Sequence, residues 1–249
     1  MNETMGQIRA RKSMRVFEDK PIPGDIKKEI LCAAFEAPTA GNQMLYTIID
    51  VTDQALKETL AESCDQQTFI ASAPMVLVFL ADHRRWLDTY RAAGLSPRKV
   101  GPGDMLLAAA DAIIAAQNAV VAAESFGVGS CYIGDILENC EDIRALLNLP
   151  LETFPAAMLV FGYPSQQQQA RRKPKRFDGK YIVLENAYRT LSPEEHREMY
   201  LAREAEEGRT EVDYHARMEA FWKRKYEGDF SREMNRSAAV YFKDFAEDC

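Results

Sequence analysis

The chain alternates between apolar runs too dense to face water and charged stretches with helical spacing. Residues 74–81 (PMVLVFLA) and 156–163 (AAMLVFGY) are continuous apolar runs of strand length, the pattern of strands covered on both faces. Residues 46–51 predict a third strand. Residues 127–133 (GVGSCYI) predict a fourth, entered through a glycine that ends the preceding helix. Helical spacing predicts a short helix over residues 3–11 and one opened by Asp25, with Ile26, Ile30, Leu31, Ala34 and Phe35 on its apolar positions. Asp53 is expected to open a helix to about Ser63. Asp104 should open a long one to Phe126, apolar nearly all round and hence central, and residues 141–147 form a short helix. Breaker-rich segments at 21–24, 37–43 and 95–103 separate these elements.

From Pro164 the character changes. A glutamine run at 166–169 leads into residues 170–180, which hold six basic side chains and one acid; about the last sixty residues are charged, with sparse apolar positions. Strands and helices mix without regular βαβ alternation, which predicts an α+β fold. A core over residues 1–190 and a helical C-terminal extension over 191–249, packing on the core or on a partner subunit, is the expected organisation.

Charge narrows the function. With 38 acidic against 31 basic side chains the formal net charge is −7, which argues against general nucleic-acid binding. An anionic ligand would need a local basic cluster. The charged N-terminus lacks the apolar stretch of a secretory signal. Residues 105–123 are the most apolar, but Asp111, Gln117 and Asn118 interrupt them, so a buried helix is expected rather than a membrane span. Five scattered cysteines without CxxC spacing predict neither disulfides nor structural zinc, and a cytoplasmic location is expected. No GxGxxG follows a strand and no P-loop is present, which removes the Rossmann and Walker readings.

Several segments could carry chemistry. Arg11, Lys12, Ser13 and Arg15 put three cations and a hydroxyl within five residues, enough to clamp a phosphate, although alone they read better as a solvated helix end. Arg171, Arg172, Lys173, Lys175 and Arg176 form a second cluster, alone a solubilising loop. Thr39, Asn42 and Gln43 sit on a loop that either presents polar groups to a heterocycle or makes a left-handed turn through Gly41 and Asn42. Gln66 and Gln67 precede a strand, where they face a ring edge or simply form a surface turn. Tyr132-Ile133-Gly134 ends another, beside a glycine that lets backbone approach a flat ligand.

In this order, four motifs resemble the nitroreductase superfamily. They are Arg11-Lys12-Ser13-x-Arg15-x-Phe17 with Pro21-Ile22, then residues 37–43 (APTAGNQ). The third is Ala116-Gln117-Asn118-Ala119 through Gly127-x-Gly129 to Tyr132-Ile133-Gly134. The last is Lys173-Pro174-Lys175-Arg176 with Val183-x-Glu185-Asn186-x-Tyr188. They span about residues 8 to 190. The resemblance implies a mostly antiparallel sheet surrounded by helices, in a homodimer whose two FMN sites are each built from both subunits. It implies a phosphate clamp of Arg11, Ser13 and one of Lys173, Lys175 or Arg176, with Arg15 binding phosphate or supporting the clamp. It places Lys12 at the flavin N1/O2 edge, where a cation favours the reduced anion. Thr39, Asn42 and Gln67 would bond the ribityl chain and pyrimidine edge, and Tyr132, Ile133 and Gly134 would lie against the ring. The long tail resembles the larger, often NADPH-dependent subgroup. Arg203 and Arg209 match its 2′-phosphate-binding arginines, with Glu204, Glu206 and Glu207 lying between them; Leu184 stands where the family has histidine.

That family transfers hydride from NADPH or NADH to the flavin N5 and on to a small-molecule electron acceptor such as a nitroaromatic, a quinone or free flavin, in alternating half-reactions. Flavin carries the chemistry, so no catalytic side chain and no metal are expected, and His83, His196 and His215 are expected at the surface. Cys131 reads as a buried structural thiol. The alternative is a non-catalytic or regulatory flavin-binding protein of the same fold, separable by whether reduced nucleotide bleaches the flavin. A phosphate-binding scaffold without flavin leaves the Tyr132–Gly134 and Thr39 segments unaccounted for.

Overall fold

The computed structural model describes residues 2–245. In chain order the elements are α1 (Glu3–Ala10), α2 (Gly24–Phe35), β1 (Tyr46–Val51), α3 (Gln54–Ser63), β2 (Met75–Asp82), α4 (Arg84–Ala92), α5 (Pro102–Ser125) and β3 (Gly129–Ile133). They continue with α6 (Cys140–Leu146), β4 (Thr153–Gly162), α7 (Gln166–Ala170), α8 (Pro193–Glu206), α9 (Tyr214–Lys225) and α10 (Asp229–Lys243). The four strands form one antiparallel sheet in the order β1-β2-β4-β3, the α+β arrangement the pattern predicted.

Both faces of the sheet are covered, as the continuous apolar runs require. β2 sends Leu77 and Phe79 towards α2 and α5, where Ile30, Ala34, Ala112, Ala116 and Val120 pack. Its alternate residues Val76, Val78 and Leu80 face Leu60, Cys64 and Ile70 at and beyond α3, together with Ile143. A third cluster closes one end with Leu45, Leu87, Met105 and Phe154, and α10 and the turn after it supply Tyr241 and Phe245 to it.

α5 is long and apolar enough to cross a membrane by length and composition. Its alanine-rich inner face nevertheless lies on the sheet, and Asp111 is buried in its middle. Asp53 caps α3 by accepting from Leu56 N, as expected. α5 starts at Pro102 rather than at Asp104, because the Asp104 carboxylate reaches back to the Gly101 N–H (2.8 Å) and satisfies the helix entrance from its first turn.

The chain divides into two compact units, residues 2–171 with 233–245, and residues 172–232. The expected division at residue 190 falls inside the second. That unit holds α8 and α9, joined by an edge-on contact between Tyr200 and Tyr214 (ring centroids 5.9 Å apart).

Candidate functional site

The basic run after α1 is tied to the open edge of β3. Met14 N donates to Ser130 O (2.9 Å), Ser165 N to Val16 O (3.1 Å) and Glu18 N to Tyr163 O (2.8 Å), so residues 13–18 run along the ends of β3 and β4. Two glycines permit the approach. A Cβ on Gly129 would come within 2.7 Å of Met14 Cγ and Pro164 Cγ, and one on Gly162 within 2.7 Å of Phe17 Cγ. The segment is thereby fixed by backbone, leaving its cationic side chains to do other work.

Those side chains gather around Cys131. Burial pushes its thiol up, while Arg15, the Ser13 hydroxyl, Arg11 and Arg171 act on it in the opposite direction. Arg171 also donates from Nη2 to Ser13 O (2.5 Å). Arg11 lies close enough to Tyr132 to oppose the burial that pushes that phenol up to about 12, and its buried Nε has no hydrogen-bond partner. A buried guanidinium nitrogen without an acceptor is costly and points to a missing one. Lys12 spends two of its three hydrogens on the carbonyls of Gln169 (2.6 Å) and Arg171, at the C-terminal end of α7.

Further along the same strand, Tyr132 is half-buried with its hydroxyl on Gln117 Oε1 (3.3 Å), and Ile133 is buried. Gly134 follows in the open: a Cβ there would meet nothing within 4 Å. Gln67 arrives beside it from the loop after α3, its Nε2 donating to Asp135 Oδ2 (2.8 Å) and to Cys64 O (2.8 Å). From Ser130 to Asp135 the chain covers roughly 15 Å. A cationic end and an end bearing an amide acceptor therefore lie on one track.

The loop at residues 39–43 makes the left-handed turn through Gly41 (φ 56°) and Asn42 (φ 57°), which leaves the Asn42 side chain exposed. Thr39 is less free than its sequence suggests: its hydroxyl donates to Asp111 and accepts from Met44 N (2.7 Å). An acceptor lone pair is what it retains for a ligand.

The other expected site residues belong to the second unit. Lys175 pairs with Glu206 (3.4 Å), while Arg172 donates to Glu206 O (2.6 Å). Lys173 and Arg176 flank Lys175 in the same segment, and Arg171, which the sequence grouped with that cluster without singling it out, is the member that bonds Ser13. Arg209 grips the buried Glu204 with two bonds (2.6 and 3.1 Å), and Arg217 adds a third (3.1 Å). Arg203 lies over the Phe177 ring, 4.2 Å from its centroid. The Arg209 hydrogen bond holds Glu204 down at about 2, so the carboxylate already sits where an anion would bind.

One expectation is corrected. His83 is buried, not at the surface, because it opens α4 and its Nε2 lies 2.8 Å from Asp104 O. His196 and His215 are exposed.

With this geometry in place, the chain can be set beside known proteins. The oxygen-insensitive NADPH nitroreductase of Salmonella typhimurium is 32% identical over 191 residues, covering 77% of each chain. An FMN reductase (NAD(P)H) of Bacillus subtilis is 28% identical over 248 residues, 98% of this chain and 92% of that protein. Among solved structures, nitroreductase A from Vibrio parahaemolyticus superimposes with a TM-score of 0.82 at 26% identity, over all of both chains. The family model described as "Nitroreductase family" matches residues 8–163, which take in the basic run, the whole sheet and Gly134, and the chain belongs to that family.

Proposed function

We propose that the chain is an FMN-dependent oxidoreductase that passes electrons from NADPH or NADH to small acceptors such as nitroaromatics, quinones or free flavin. The observation that carries this reading is the gathering of Arg11, Arg15 and Arg171 around Ser13 and Cys131, on the strand that runs on to Gly134. A protein with a net charge of −7 has little reason to concentrate cations there without an anion to hold. The unpartnered Arg11 Nε fits a phosphate oxygen, and the open backbone at Gly134 fits a flat ring.

FMN, when bound, supplies the two-electron chemistry that links a nicotinamide to the acceptor. The protein's part is binding and orientation. Arg11, Ser13, Arg15 and Arg171 hold the phosphate, with guanidinium groups supplying paired donors. Gln67 accepts from the pyrimidine edge, Tyr132 and Ile133 back the ring, and Lys12 draws the carbonyl end of α7 onto the clamp and adds positive charge beside it. Thr39 and Asn42 serve the polyol chain. One pocket accepting nucleotide and acceptor in turn gives alternating half-reactions.

The working form is a homodimer. α5 leaves Leu106 (64% exposed), Leu107 (51%), Ile113 (47%) and Ile114 (39%) on its outer face, an apolar stripe of the kind a second copy covers. The exposed Asn42 is then available to a cofactor held across that interface. The cytoplasm, where reduced nucleotides are held, is the compartment this reading calls for.

The purified protein tests it directly. It should be yellow or take up FMN, bleach with NADPH or NADH without oxygen, and recover its colour when a nitroaromatic is added. A colourless protein that takes up no FMN would overturn the proposal.

A further inference from the structure

Gln67 is unusual among the proposed cofactor contacts in having its amide fixed from behind. Asp65 (φ 58°) and Gln66 (φ 54°) both adopt left-handed backbone, a costly pair for residues with side chains, and the turn they make swings Gln67 back towards β3. The Cys64 carbonyl and the Asp135 carboxylate oxygen are acceptors, so the Gln67 nitrogen must face them and both its hydrogens are used. Only the amide oxygen remains for a ligand. In flavin, the group that matches a lone acceptor on the pyrimidine edge is the N3–H donor.

Behind Asp135 stands a second acid. Glu138 is 7% exposed, hydrogen-bonded to Asp135 through its side chain, and its Oε1 is buried without a partner. Burial, then the neighbouring Asp135, pushes the Glu138 carboxyl up to about 7. The charged groups facing it from the surrounding elements are also acidic: Asp65 beyond α3 and Glu233 on α10. Arg236 is held on Glu233 and Glu141 (each 2.8 Å), and the Cys64 thiol, pushed up to about 12 by burial and by Asp135 and Glu138, stays neutral. In such a setting Glu138 keeps its proton near neutral pH and has a hydrogen to give Asp135.

We propose that Asp135 and Glu138 are positioning residues: a hydrogen on Glu138 holds Asp135, Asp135 locks the Gln67 amide with its oxygen outward, and FMN is held less tightly once that proton leaves. The inference rests on the cofactor reading above. With the proton present, Glu138 donates to Asp135, whose other lone pairs hold the Gln67 N–H. When it is lost, two adjacent carboxylates repel, Asp135 turns away, and the Gln67 amide is released. A reversed amide would aim its hydrogens at N3–H, donor against donor.

The test is the dissociation constant of FMN from apoprotein, read by flavin fluorescence from pH 5.5 to 8.5. At the alkaline end the native chain should bind about tenfold more weakly than Glu138→Gln, which carries a permanent donor for Asp135. Asp135→Asn should also lack that alkaline loss, since its amide donates to Glu138 and still accepts from Gln67; it serves if the first variant fails to fold. The phosphate's own ionisation near pH 6 tightens binding as pH rises, and it is common to all three proteins. FMN binding with parallel profiles in native and variant chains overturns the latch alone. A native chain that takes up no FMN overturns the latch and the cofactor reading together.

Discussion

Thr39 gives its hydroxyl proton to Asp111, 72 positions away, and that carboxylate also accepts the backbone N–H groups of Ala40 and Leu45 (both 3.1 Å). Three donors, rather than a cation, thus satisfy an acid buried in the middle of α5. The pairing pins the 39–45 loop to the central helix and sets the position of Asn42 and the entry to β1.

Replacing Asp111 with asparagine turns one acceptor into a donor facing N–H groups. We expect a loss of about 2 kcal/mol in stability and a fall of roughly 6 °C in Tm. Thermal denaturation of the apoprotein measures it, and an unchanged Tm would show that the loop is held by other means.

Alanine at Arg15 or Arg171 should weaken FMN binding by about tenfold or more, the scale of a lost charge-assisted hydrogen bond. Alanine at Lys175, whose ammonium pairs with Glu206, should cost less. Flavin titration of the apoproteins ranks the three, and a larger loss at Lys175 would move the clamp into the second unit.

The architecture was legible where one physical requirement dominates. Apolar runs located the strands, and Asp53 marked the start of α3 because side-chain capping is local. α4 escaped notice because its nine residues are mostly polar or charged and offer only Trp86, Leu87 and Tyr90 to bury, too few to stand out as an apolar run although they share one face. The Asp111 carboxylate reads in the sequence only as an interruption of an apolar helix, since its donors come from a distant loop. Spacing likewise could not foresee the tie between Arg171 and Ser13, because it is made across 158 residues. Asp135 and Glu138 carry no motif at all; Asp135 takes its meaning from the Gln67 amide it accepts from, and Glu138 from Asp135.

Glu204 should govern nucleotide choice. Its carboxylate occupies Arg209 and Arg217, so Glu204→Gln frees both guanidinium groups for a 2′-phosphate and should raise the NADPH-to-NADH ratio of kcat/KM severalfold. Because the Arg209 bond lowers the folded carboxyl to about 2, its stabilising effect is present above the ordinary glutamate range and lost as pH falls from about 4.5 towards 2. The variant should lack that acid-side loss. Steady-state rates with both nucleotides and an acid denaturation series check the two parts; equal ratios in native and variant chains would remove Glu204 from nucleotide selection.

A charge on the outer stripe of α5 should split the proposed homodimer. Ile113→Glu or Leu106→Glu is expected to sediment as a monomer and to lose bound flavin, while keeping the fold, because both side chains face outward. A variant that remains dimeric with a full complement of FMN would place the interface elsewhere.

The cluster that seats Tyr241 and Phe245 against Leu45 and Phe154 has a consequence for biosynthesis. Leu45 leaves the ribosome about two hundred residues before Phe245, which at ordinary elongation rates is a delay of at least ten seconds. Throughout that interval the nascent chain displays an unfinished apolar hollow. Changes near the C-terminal aromatic pair should therefore be felt during synthesis as well as in the finished fold.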